Sequence, residues 1–94
     1  MCFFGGQLYA DTLAGGFPAC LKKKSYDQFI RAYMDKNKPE LEYLLKNGCG
    51  FPDSGLKVAV LDYSVWDANA KVRIFIGDQA VVMWTHYKNI RRDP

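Results

Sequence analysis

Between Lys71 and Tyr87 the chain reads KVRIFIGDQAVVMWTHY, in which Val72, Ile74 and Ile76 alternate with Lys71, Arg73 and Phe75. A period of two is that of a half-buried strand, because successive side chains leave a strand on opposite faces. Gly77-Asp78 interrupts the pattern with a glycine-first pair suited to a type II′ turn, so the stretch predicts a β-hairpin. With those two residues as the loop, Ile76 faces Gln79, Phe75 faces Ala80, Ile74 faces Val81, Arg73 faces Val82, Val72 faces Met83 and Lys71 faces Trp84. One face, Val72, Ile74, Val81 and Met83, is predicted core. The other, Lys71, Arg73, Phe75, Val82 and Trp84, is cationic and aromatic.

Upstream the period lengthens. Ser25 and Gln28 form a capping-box pattern, and Tyr26, Phe29, Ile30, Tyr33 and Met34 recur at helical spacing, predicting a helix from Ser25 with those five side chains inward. Asp27, Gln28, Arg31 and Asp35 point away. Asn37, Pro39 and Glu40 open a second helix, which runs to about Lys46 with Leu41, Leu44 and Leu45 inward and ends at Asn47-Gly48. Residues 49–55 read as a loop, Lys57 to Ser64 as a strand, and 65–70 as a loop in which Asp67 and Asn69 close turns. Trp66, within that loop, is expected to fold back as a lid on the core or, failing that, to be offered to a partner. Gly5-Gly6, Gly15-Gly16 and Pro18 break the first 21 residues into short pieces, yet Phe3, Phe4, Leu8, Tyr9, Leu13, Phe17 and Leu21 predict that this segment packs on the rest.

The expected class is therefore α+β, in one domain spanning residues 1–94. It comprises an irregular or short-stranded segment (1–24), a helical hairpin (25–48) and an antiparallel β module (56–92). Leu56 to Arg92 resembles the small SH3-like barrel superfold in having a strand, a Trp-bearing turn, the hairpin above and a closing turn, YKNIRR, with one inward aliphatic residue. The resemblance implies a five-stranded barrel that binds through surface aromatic and charged residues, with no inherited catalytic position. Without closure, the same elements make a three-stranded sheet packed on the helical pair.

Composition adds little to this picture. The chain is 49% hydrophobic, enough for a core without disulfide staples, and its net charge of +3 permits an acidic partner without requiring one. Cys2, Cys20 and Cys49 are odd in number and widely spaced, which predicts three free thiols and a cytoplasmic location. The apolar start lacks a basic n-region, so no signal cleavage is expected, and no stretch approaches the ~20 apolar residues of a membrane span.

Catalytic and metal chemistry find weak support. Cys2 could become an amino-terminal nucleophile, but the polar neighbours such a residue needs do not follow it. His86 is the only histidine, and with the three cysteines it lacks the short spacings of a zinc site. The glycine pairs match no phosphate loop, and Glu40 and Glu42 point in different directions on their helix. We therefore expect no enzyme, cofactor or metal. The preferred expectation is a small binding module, an inhibitor or assembly component, docking on a larger protein through Trp84, Arg73 and Phe75, with Lys71, Trp66 and Tyr87 at the margin. The alternative is nucleic-acid binding, with Trp84 and Phe75 stacking bases and Lys71, Arg73, Lys88, Arg91 and Arg92 meeting phosphates. A third possibility is that the helices cover this face and make it a second core layer.

Overall fold

The computed structural model describes residues 11–92. The expectations placed on Cys2, Phe3, Phe4, Leu8 and Tyr9 lie outside the described residues. In chain order the elements are β1 (Thr12–Leu13), β2 (Ala19–Cys20), α1 (Lys23–Met34), α2 (Lys38–Lys46), β3 (Cys49–Gly50), β4 (Val58–Ser64), β5 (Asn69–Ile76) and β6 (Gln79–His86). A 3-10 turn (Tyr87–Asn89) then leads into β7 (Ile90–Arg91). The class is α+β. No helix among the described residues is long and apolar enough to cross a membrane.

The β5–β6 hairpin forms with the expected register, from Ile76↔Gln79 through Val72↔Met83 and Lys71↔Trp84, and continues to Asn69↔His86. Gly77 at φ 63° takes the left-handed first position of the turn, which a side chain would oppose. β5 thus begins at Asn69, two residues into the segment expected to be a loop. Around the hairpin the sheet is five-stranded and antiparallel in the order β3-β2-β6-β5-β4, with a bulge between Val60 and Asp62 in β4. β1 and β7 form a separate pair, and β1 also bridges to the start of β4 through Thr12 and Lys57. The five-stranded sheet does not close into a barrel.

Each face of this sheet carries a core. On one face Val58, Ala70, Val72 and Ile74 pack with Leu13 of β1, joined by Leu56, Val60, Met83, Tyr87 and Ile90. Ile90 is the inward aliphatic expected of the closing turn. Val81 and Met83 are only half-buried, because the two-residue strands β1 and β7 do not reach the turn end of the hairpin. On the other face Cys20, Tyr26, Phe29, Leu44 and Cys49 form a second cluster beneath the helices, with Ile30, Leu41 and Trp84 against it.

The helices correct the sequence reading in detail. α1 starts at Lys23, and its N-cap is Lys22 with no side-chain cap, so the serine expected to cap it lies inside the first turn. Tyr26 and Phe29 are buried, Ile30 is half-buried, and Ala32 replaces the last turn of the stripe where α2 crosses. Tyr33 and Met34 overhang that crossing and stay 68% and 75% exposed. In α2 Asn37 caps as expected, its side chain accepting from the Glu40 amide at 3.4 Å, and Leu44 is buried, while Leu45 remains exposed.

The cysteines are the largest correction. Cys20 and Cys49 stand opposite each other in the β2–β3 pair and form a disulfide, so they are not free thiols. Sequence separation concealed this: the cysteines lie 29 positions apart, and the chain between them folds into a helical hairpin that returns it to its starting point. A second long-range tie is polar. Buried Asn89 accepts from the Gly15 amide at 2.9 Å and donates to Thr85 Oγ1 at 3.0 Å, and Thr85 donates onward to the Pro18 carbonyl at 2.8 Å.

These two ties generate separate predictions. Asn89→Ala strands the Gly15 amide and a Thr85 acceptor, and should lower unfolding stability by about 2–4 kcal/mol in urea titration. Cys20→Ser with Cys49→Ser removes a cross-link across 29 residues. Chain-entropy reasoning gives a loss of about 3–4 kcal/mol. Alkylation of the denatured, unreduced chain should spare both sulfurs; their full labelling would refute the bond.

Candidate docking surface

The six residues expected to form one contact face occupy three places. Trp84 sits on β6 opposite Cys20 of β2 and packs against the cluster of Tyr26, Phe29 and Leu44, so the helices roof it and it is half-buried. Lys71 lies over its ring, Nζ 5.8 Å from the centroid, a cation–π contact within the chain. This end of the face is a second core layer. Trp84 is only half-buried there, where β2 and β3 widen the sheet beneath α1 and α2.

Arg73 and Phe75 continue along β5 beyond the helices and remain exposed, Phe75 at 40%. Trp66 and Tyr87 lie at the other end of β5. There the chain turns between β4 and β5, with the Asp67 amide donating to Ser64 Oγ at 3.2 Å and the Ala68 amide to the Val65 carbonyl at 3.3 Å. Ala68 closes the turn at φ 56°, a left-handed conformation uncommon for a residue with a side chain. The result holds Trp66 away from the core at 97% exposure, so it is not the expected lid.

Beside the turn is a groove of about 420 Å³ lined by Val60, Tyr63, Val65, Tyr87, Ile90 and Arg92. Tyr63 is 55% exposed and Val65 61%. Neither residue was singled out from sequence. The available signal was the Val-Trp pair between Ser64 and Asp67, since two large apolar residues at a turn tip have no core to enter. Among the described residues this is a patch of large apolar side chains on ordered backbone with one arginine at its rim.

The basic residues assigned to phosphates also separate. Lys71 and Arg73 lie on the helix-bearing side of the five-stranded sheet. Arg91 pairs with Thr12 and Arg92 lines the groove on the opposite side, while Lys88 belongs to the 3-10 turn. They do not line one phosphate-tracking groove.

Among the described residues, the cysteines and the histidine are engaged. Cys20 and Cys49 are bonded to each other and available neither as nucleophile nor as metal ligands. His86 stacks between Phe17, at 5.2 Å between centroids, and Tyr87, at 5.0 Å, and its Nδ1 accepts from the Lys88 amide at 3.0 Å. Partial burial, with the charge of Lys88 adding to it, lowers the His86 pKa from 6.5. Tyr26 is pushed up to about 12 by burial and then by Asp27, so it stays un-ionised near neutrality.

The His86 shift fixes the sign of a pH effect. Folding favours the neutral imidazole, so its contribution is complete above pH 6.5 and is lost as pH falls through the lower folded-state value. Thermal melts at neutral and mildly acidic pH should show a smaller acid-induced loss for His86→Gln than for the parent. Equal losses would show that His86 does not contribute. Comparison of the chain with known protein families, with curated proteins and with solved structures finds no match.

Proposed function

We propose that the chain is a non-enzymatic docking module that attaches to a larger protein or assembly through the Trp66 turn and the groove beside it. The carrying observation is the 97% exposure of Trp66 on a turn tied down by Ser64 and Asp67. An indole in water gives up a large hydrophobic gain, and holding it outward on fixed backbone reduces the conformational freedom lost when a partner closes over it. Tyr63, Val65 and Tyr87 supply adjoining apolar area, and Arg92 a polar rim, the composition that concentrates binding energy at protein interfaces. Arg73 and Phe75 lie at the far end of β5 and belong at most to the margin.

Relative to the sequence reading, the function is kept and the anchor moves from Trp84 to Trp66. Trp66→Ala should leave the melting temperature unchanged and weaken partner capture by on the order of 2 kcal/mol or more, about thirtyfold. Trp84→Ala should instead destabilise the fold, since it removes a ring packed on the disulfide cluster. The deciding experiment is affinity capture from an extract of the native cells, comparing the parent, Trp66→Ala and Arg73→Ala. Retention of the same partner by Trp66→Ala at parental affinity would refute this surface.

A further inference from the structure

The exposed side of α1 carries charges in an order that matters. Lys23, Asp27, Arg31 and Asp35 follow one another at intervals of four residues, alternating in sign along one edge of the helix. Lys23 and Asp27 form an ion pair at 3.3 Å, whereas Arg31 and Asp35, at the same spacing, make none among the described residues. Beside this edge runs an apolar line, Tyr26, Ile30 and Met34, which floors a groove of about 670 Å³. Asp67, Ala68 and His86 form the opposite wall. Met34, expected in the core, is 75% exposed at the end of that floor.

Reversed end to end, the charge series is complementary to itself. A helix laid antiparallel on α1 places residue 23 against 35 and residue 27 against 31, so every position meets its opposite sign. The charge series is symmetric about residue 29 and the apolar line at 26, 30 and 34 about residue 30, one helical rise of about 1.5 Å away. A two-fold contact requires a single patch that complements its own copy. We infer that the occupant of this groove is a second copy of the chain, and that the protein forms a two-fold dimer through antiparallel α1 helices. Asp27 of each copy pairs with Arg31 of the other, Lys23 with Asp35, and Ile30 is covered near the centre with Met34 toward each end. This assignment stands apart from the docking reading, because Trp66 does not line the groove.

Charge exchange tests it directly. One variant carries Asp27→Lys and Asp35→Lys; a second carries Lys23→Glu and Arg31→Glu. All four positions lie on the exposed side of α1, so both should fold, as circular dichroism can verify. In sedimentation equilibrium the parent should dimerise, each variant alone should associate at least about tenfold more weakly, and a one-to-one mixture should recover dimer as the heterodimer. The double variant Asp27→Arg with Arg31→Glu, which restores the central pair within one chain, provides the same test without mixing. Trp66→Ala should dimerise like the parent, which separates failure of this contact from failure of the docking surface. A parent that stays monomeric at its highest attainable concentration overturns the inference. So does either single-sign variant that dimerises as well as the parent.

Discussion

The fold depends on a buried relay of three hydrogen bonds, from Gly15 to Asn89, from Asn89 to Thr85, and from Thr85 to Pro18. It joins residues more than sixty apart in sequence, holding the segment between β1 and β2 against the end of β6 and the 3-10 turn. Asn89 and Thr85 are both fully buried, and a buried amide or hydroxyl is tolerated only when its partners are in place. The relay therefore acts as a registration device. A slip of the segment by one residue would take the Gly15 amide and the Pro18 carbonyl from their partners Asn89 and Thr85, Leu13 from its core, and Cys20 from its position opposite Trp84 and Cys49.

Those dependencies explain which parts of the structure were legible in the sequence. The register of the hairpin was read correctly, because alternation and a two-residue turn are local and a single glycine sets it. The second helix was equally local, with Asn37 at its start and Gly48 beyond its end. Local patterns failed where one element decides how another is covered. Tyr33 and Met34 continue the inward stripe of α1, yet α2 crosses at Ala32 and the helix overhangs. Trp84 looked outward by parity, and parity was right; what roofs it arrives through β2 and β3, strands of two residues with no pattern to detect.

The exposure of Trp66 was misread for the same reason. A turn built from Ser64 and Asp67 reads as a turn in any context, but whether Trp66 folds onto the domain depends on space above the core, and Leu13, Tyr87 and Ile90 already occupy it. Trp66 is consequently turned outward. The same partition places the two exposed apolar features on different sides of one short turn, with Trp66 and Val65 facing away and Asp67 and Ala68 walling the groove along α1. One backbone loop thus borders two surfaces of different chemistry, one chiefly aromatic and one striped with charge.

The Cys20–Cys49 bond removes two of the three free thiols from which a cytoplasmic location was expected. It also makes the stretch from residue 20 to 49 a covalent ring that contains both helices. A ring anchored at one point on the sheet can open without dispersing: if α1 and α2 lift off, their ends stay beside each other and the return path remains short. Loss and recovery of the helical layer then become a local event, separable from melting of the hairpin beneath.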